Sequence, residues 1–156
     1  MNRAGGKAGA LAAVVATVAA GCGGSDRLSK SDYEQKLQQE GSQLKTAFEA
    51  IDFSDVSNLQ EFSTKVTNLQ QQIDQSANDL DDLKPPEDAD EDNDKIVKAL
   101  HQFSDKFGEM KQAAKDKDEQ RIDQIGQEID PIGQRIDSAT KDLEDKGYDT
   151  GEFGNS

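Results

Sequence analysis

Apolar residues recur along most of this chain at the spacing that places them on one face of an α-helix. Between residues 57 and 83 they repeat every seven residues in two offset series, the pattern of a helix packed against other helices. The two series are Leu59, Val66, Ile73 and Leu80, and Phe62, Leu69, Ser76 and Leu83. Ser57 and Gln60 form a capping box and Lys84-Pro85-Pro86 a stop, so we predict a helix over 57–83.

A second seven-residue repeat lies nearer the C-terminus. Its members are Ile122, Ile129, Ile136 and Leu143, and Ile125, Ile132 and Ala139. Asp116 and Glu119 predict a capping box at its start. Pro131 removes one backbone hydrogen bond inside this pattern. Because the apolar phase is unchanged across it, we predict a kink near 127–131 rather than a break.

Two further segments, 31–51 and 87–115, are amphipathic at helical spacing. The first begins at a Ser31–Glu34 capping box. Their apolar positions are Tyr33, Leu37, Leu44, Phe48 and Ile51, and Ile96, Leu100, Phe103, Phe107, Met110 and Ala114.

The predicted connections 52–56, 84–86 and 115–116 are short, which makes sequential helices antiparallel neighbours. We therefore predict an all-α fold, an elongated antiparallel up-down-up-down four-helix bundle over 31–146, followed by a disordered Gly-rich tail, 147–156. The alternative is a longer three-helix arrangement in which the first helix packs loosely or pairs with another molecule.

The first residues follow a different pattern. Arg3 and Lys7 precede an apolar run over 10–20, about half of the roughly 20 residues that span a bilayer, and Gly21 and Cys22 follow. These residues resemble the signal and lipobox of bacterial lipoprotein precursors. The resemblance implies a cleaved signal peptide, 1–21, and a diacylglycerol on Cys22 that anchors the protein to the extracytoplasmic face of the cell membrane. The alternative is an ordinary secretory signal with an incidental cysteine.

Cys22 is the only cysteine, so an exported form cannot contain an internal disulfide, and acylation accounts for its presence. Residues 22–30 then form the lipidated cysteine and a flexible tether. The chain has 32 acidic and 18 basic residues, and cleavage after Gly21 removes two of the basic ones. Such a charge repels nucleic acid and anionic lipid headgroups, so we predict no nucleic-acid partner and membrane attachment through the anchor.

Residues 28–146 also resemble small helical lipoproteins of high-GC Gram-positive bacteria. The similarity lies in the tether after Cys22, the helix stop Leu80-x-x-Leu83-Lys84-Pro85-Pro86, and a helical hairpin that turns at Asp116. The resemblance implies a protein of the cell envelope.

Six of the eight residues 87–94 are acidic, and four of them alternate as the first ligands of a calcium loop do: Asp88, Asp90, Asp92 and Asp94. An EF-hand loop would then require Gly at 93 and a bidentate Glu at 99, where this chain has Asn93 and Ala99. We favour solvated acids at a helix N-terminus and predict no metal site.

His101 is the single histidine, and with no clustered Cys or second His it is a poor metal ligand and a poor catalytic base. No phosphate loop or nucleophile elbow is present, so we predict a protein that is not an enzyme and has no cofactor besides the diacylglycerol on Cys22.

Glycines within helical pattern, notably Gly41, Gly126 and Gly133, each cost about 1 kcal/mol relative to Ala. In one interpretation these glycines leave an apolar groove, with Gly41, Phe62 and Phe103 as the candidate residues. In the other they allow close packing of neighbouring helices, and Phe62 or Phe103 fills the space beside them. We favour close packing.

The predicted function is a non-catalytic interaction or structural module, with another envelope protein as partner. The alternative is a carrier that binds a small apolar molecule or a cation between its helices.

Overall fold

The computed structural model describes residues 26–51 and 59–154, and every regular element in them is helical. The four α-helices are α1 (Lys30–Glu49), α2 (Leu59–Asp81), α3 (Asp90–Asp116) and α4 (Glu119–Asp145), and a 3₁₀ turn, Gly151–Gly154, follows. The prediction of an all-α, four-helix bundle is confirmed. The lipobox with Cys22, the proposed cap at Ser57 and the last two residues lie outside the described residues.

The core combines the apolar seams of α2 and α4, which the seven-residue repeats predict, with the apolar faces of α1 and α3. Helix α3 packs against both α2 and α4, and α1 packs against α2. Val66, Ile73 and Leu80 of α2 are fully buried. The polar seam position Ser76 is buried too, and its hydroxyl donates a 2.8 Å hydrogen bond to the buried carboxylate of Glu40 on α1. This bond satisfies the one polar side chain of the α2 seam.

The residues after α4 pack against the bundle, so the predicted disordered tail is wrong for 147–154. Tyr148, Thr150 and Phe153 are buried, and the 3₁₀ turn contacts both α1 and α4. Among the described residues, α1 and α4 have no Cα atoms within 8 Å of each other. The C-terminal segment thus joins two helices that do not pack directly on one another.

The end of the predicted tether is also held by the bundle. The Arg27 guanidinium donates to the Pro85 carbonyl at 2.8 Å and to both carboxylate oxygens of Asp90 at 3.0 and 3.1 Å. The Leu28 N–H donates to the carbonyl of Lys84. Helix α1 then begins one residue earlier than predicted, because Ser29 rather than Ser31 caps it and accepts from the Asp32 N–H.

The turn between α3 and α4 lies two residues beyond its predicted position. Helix α3 continues through Asp116, and Lys117 adopts a left-handed conformation at φ 58° that ends it. Asp118, not Asp116, caps α4 by accepting from the Arg121 N–H at 3.0 Å. Asp116 and Asp118 both precede Glu119 and both suit a cap, and only the backbone geometry distinguishes them.

Helix α4 is continuous through Pro131, whose side chain is exposed. The predicted absence of a break at this proline is therefore confirmed. In the part of the chain that the structure describes, no helix combines the length and the apolar character needed to span a membrane.

Candidate functional site

An open apolar cavity of about 600 Å³ lies between α1 and α4. It exists because these two helices stand apart and leave part of α3 uncovered between them. The 3₁₀ turn contributes Glu152 and Phe153 to its lining. The apolar side chains that line it are Leu44, Phe48, Leu100, Phe103, Ile129 and Ile136.

A second cavity of about 540 Å³ adjoins the first, further towards the start of α4. The two share Phe48, Ile129 and Asp130. The apolar residues specific to the second are Phe62, Phe107, Met110 and Ile122. We call the two cavities together the α1–α4 groove.

Three phenylalanines form the floor of the α1–α4 groove where the cavities meet. The half-buried ring of Phe48 lies edge-on to Phe103 and Phe107, with ring centroids 6.0 and 5.9 Å away. The rings of Phe103 and Phe107, both on α3, stack at 6.1 Å. These contacts hold α1 on α3 without closing the gap to α4, because aromatic pairs are favourable at this separation.

The three residues predicted as a possible groove do line it, in different places. Gly41 and Phe103 line the first cavity and Phe62 the second. At Gly41 itself the space is filled by Phe153, since a Cβ atom there would lie 3.0 Å from both the Phe153 nitrogen and its ring. Close packing therefore explains this glycine, although its partner is Phe153 rather than Phe62 or Phe103.

Gly126 and Gly133 of α4 differ from Gly41, because nothing packs tightly on them. A Cβ at Gly126 would meet no atom within 4 Å, and one at Gly133 would make only an ordinary 3.9 Å contact with Phe103. Both glycines line the α1–α4 groove. Their effect is to keep the α4 wall free of side chains at two points one heptad apart.

The acidic run does not converge on a common centre. Each carboxylate has its own partner: Asp88 accepts from the Tyr148 hydroxyl, Asp90 pairs with Arg27, Asp92 with Lys95 and Lys146, and Asp94 with Lys98. No three His, Cys, Asp or Glu side chains of residues 26–51 and 59–154 are arranged to hold a metal ion. The alternation in sequence places these acids around the helix rather than on one side of it.

Asp92 is the buried member of this run, only 1 % exposed. Lys146 donates to it at 2.5 Å and Lys95 at 2.8 Å. Burial by itself would raise the pKa of Asp92, but the hydrogen bonds from the two lysines hold that pKa below its usual value. Lys146 also donates to the carbonyl of Asp88, so this ion pair joins the end of α4 to the start of α3.

Both tyrosines of the chain lie at the same end of the bundle. The Tyr33 hydroxyl donates to Asn93 Oδ1 at 3.1 Å, and Asn93 in turn donates to the carbonyl of Leu80 at 3.0 Å. Tyr148 lies edge-on to Tyr33 with centroids 5.8 Å apart. Burial raises the pKa of both phenols, and for Tyr148 the bond to Asp88 raises the pKa further. We call this cluster of Tyr33, Asp92, Asn93, Lys146 and Tyr148 the polar junction.

His101 is exposed on α3 and does not line the α1–α4 groove. Among the described residues that line the groove there is no hydroxyl, thiol or imidazole, and the polar groups are carboxylates, two amides and Lys45. The groove therefore presents surfaces suited to contact and charge pairing.

Sequence reasoning missed Phe153, which lines the groove, and assigned Ile129 to a buried seam, although it also lines the groove. The sequence does contain a signal that the C-terminal segment packs on the bundle. Tyr148 and Phe153 are two aromatic residues in a ten-residue tail, which is unusual for a disordered segment.

Comparison of the chain with protein-family models, with curated proteins and with solved structures finds no match.

Proposed function

We propose that this protein is a lipid-anchored module of the bacterial cell envelope, and that it binds a partner protein in the α1–α4 groove without catalysing a reaction. The proposal joins two independent features: the lipobox pattern at Gly21 and Cys22, and the groove. Cleavage after residue 21 leaves an acylated Cys22 as the first residue, and the diacylglycerol provides the membrane attachment.

The observation that carries the proposal is the open α4 wall at Gly126 and Gly133. Each glycine costs about 1 kcal/mol of helix stability relative to Ala. Neither cost is offset by a tight contact within the described residues. An apolar groove whose wall is kept open at such a cost is typical of a binding surface.

The polar junction supports a particular orientation on the membrane. Cys22 is five residues from Arg27, whose guanidinium is bonded to Asp90 at the start of α3, and a fully extended chain of that length spans at most about 18 Å. We therefore place the polar junction next to the bilayer, with the helices running away from it in alternating, up-down-up-down directions. The short connection between α3 and α4, Lys117 and Asp118, supports this topology.

A carrier of a small apolar molecule is the second candidate function. The volume of the first cavity, about 600 Å³, is within the range of known ligand pockets. Its apolar lining would suit an acyl chain or a similar tail.

In-cell photocrosslinking tests the proposed function. A photoreactive amino acid replaces Gln134, an exposed residue of α4 that lines the groove, in the source bacterium. We expect a reproducible protein adduct from this position, and none from the same probe at Gln75, an exposed residue on α2 outside the groove. In a Cys22→Ala form the adduct should be lost or strongly reduced, because the protein is no longer held at the membrane.

Equal adducts from Gln134 and Gln75 would contradict a partner in the groove. A lipid adduct at Gln134, with no protein adduct, would favour the carrier. Adducts that do not change in the Cys22→Ala form, together with the absence of acyl groups on Cys22 by mass spectrometry, would contradict the anchor.

A further inference from the structure

The rim of the α1–α4 groove is strongly acidic where it meets solvent. The first cavity is bordered by the carboxylates of Glu49, Asp130, Asp137 and Glu152 and by a single ammonium group, that of Lys45. Lys45 Nζ is 2.6 Å from Glu152, so its charge is already paired. The remaining negative charge surrounds an apolar floor.

Part of this rim is a regular row along α4. Asp123, Asp130 and Asp137 recur every seven residues, are all exposed, and line the groove from the second cavity to the first. Seven residues of helix rise about 10.5 Å and return to the same face. Within the described part of the chain, no cation lies at ion-pair distance from Asp123 or Asp130.

The other face of the α3–α4 pair is different. There Lys106 bonds both Glu109 and Glu128, at 2.8 and 2.6 Å, and Arg121 bonds the same two carboxylates. Lys106 and Arg121 thus neutralise acids that do not line the groove, whereas Asp123 and Asp130 at its edge are left to a partner from outside.

Resting on the proposed interaction module, we infer that the occupant of the groove is a basic amphipathic α-helix of the partner protein. The groove extends along residues 122–137 of α4, roughly 22 Å at 1.5 Å per residue, which is the length of about four helical turns. Apolar side chains of such a helix would cover Phe103 and the open wall at Gly133. Lys or Arg side chains at seven-residue spacing would pair with Asp123 and Asp130.

Charge distinguishes this occupant from two others. An anionic lipid headgroup would be repelled by the rim carboxylates. A single metal cation is not suited to the row, because carboxylates about 10.5 Å apart along a helix cannot share one ion.

A designed peptide tests the inference on the full, acylated protein in nanodiscs of neutral phosphatidylcholine. The probe is a fluorescent 18-residue helical peptide with a leucine stripe and lysines at seven-residue spacing, and the control peptide has glutamate in place of each lysine. Anisotropy is measured against empty nanodiscs. We expect saturable binding of the lysine peptide, at least about tenfold weaker binding of the glutamate peptide, and loss of affinity as NaCl rises.

Two variants locate the binding site. A Cβ atom at position 133 would contact only Phe103, at 3.9 Å, so Gly133→Leu should stay folded, occupy the groove and weaken lysine-peptide binding by at least about tenfold. Asp130→Asn preserves shape and should weaken it about two- to fivefold, as expected for an exposed ion pair. Asp105→Asn removes an exposed acid of α3 outside the groove and should leave binding unchanged.

Equal binding of both peptides, or full binding by a folded Gly133→Leu protein, overturns the inference. Saturable binding of a fluorescent fatty acid that Gly133→Leu removes, with no peptide binding, overturns it in favour of an acyl ligand. If Gln134 yields a protein adduct in cells but the lysine peptide does not bind, the interaction module stands and the basic helix is wrong. If the peptide binds and Gln134 yields no adduct, the groove accepts a basic helix but the proposed binding of a partner protein in cells is wrong.

Discussion

Phe153 packs on Gly41 so closely that no other residue fits at position 41 without movement. A Cβ atom built there would lie 3.0 Å from both the backbone nitrogen and the ring Cδ2 of Phe153. The backbone nitrogen cannot rotate away as a side chain can. The contact attaches the 3₁₀ turn to α1, and both residues line the α1–α4 groove.

We expect Gly41→Ala to destabilise the protein by about 1–2 kcal/mol, although the same substitution in an open helix stabilises by about 1 kcal/mol. The cost arises because the 3₁₀ turn must shift. Urea denaturation measures it. In a Phe153→Ala background the penalty of Gly41→Ala should shrink without disappearing, because the substitution removes the ring contact and leaves the backbone nitrogen in place. An equal penalty in both backgrounds would show that the Phe153 ring does not contribute to it.

Gly126→Ala and Gly133→Ala should each raise the free energy of unfolding by up to about 1 kcal/mol. The reason is that a methyl group finds open space at Gly126 and an ordinary contact at Gly133. Thermal and urea denaturation check both variants. A loss of stability in either one would mean that its backbone is packed more tightly than the structure shows.

Asp92→Asn should cost about 1–3 kcal/mol at pH 7, because the ammonium groups of Lys95 and Lys146 lose a buried charged acceptor. The pKa of Asp92 is lower in the folded than in the unfolded protein. Its contribution is therefore complete well above the unfolded value, about 3.9, and is lost as the pH falls through that value to the folded pKa.

The measurement is urea denaturation from pH 7 to pH 2.5. The stability difference between the wild-type protein and Asp92→Asn should shrink as the pH falls. Asp94→Asn is the matched control, since Asp94 is exposed and 3.9 Å from Lys98, and it should change stability little at any pH. A difference for Asp92→Asn that does not vary with pH would contradict the role of its charge.

The two tyrosines predict an alkaline transition. Burial raises the pKa of both phenols, so the folded protein holds their protons above the usual value of about 10. Stability should therefore fall as the pH rises above about 10, because the unfolded chain releases these protons first. Absorbance at 295 nm should show tyrosinate appearing together with the loss of helical circular dichroism. Tyrosinate at pH 10 in a fully helical protein would contradict the burial.

The proposed orientation predicts which end of the bundle lies near the bilayer. Spin labels placed through Glu87→Cys and Lys117→Cys mark the two ends of α3, whose 27 residues span about 40 Å. The acylated protein is placed in liposomes with a paramagnetic relaxation agent at the lipid headgroups. This agent should increase the relaxation rate of the label at position 87 much more than that of the label at position 117. The same effect at both positions would mean that the bundle lies flat.

Sequence periodicity was sufficient to predict the four helices and their buried faces. Val66, Ile73 and Leu80 are apolar at seven-residue spacing and are buried as predicted, because a helix can hide such a stripe only by packing it on other helices. Periodicity does not determine where a helix ends. Asp116 and Asp118 both suit a cap, and because Lys117 adopts a left-handed conformation that ends α3, Asp118 caps α4.

The sequence by itself therefore determined the helices, the seams and the acidic character of the chain, because each follows from local spacing and composition. Only the tertiary structure showed that α1 and α4 stand apart, that Phe153 fills the space at Gly41, and that Gly126 and Gly133 face an open groove. The physical reason is that a repeat specifies which face of a helix is buried but not which neighbour covers it. That depends on contacts between residues as distant in sequence as Gly41 and Phe153.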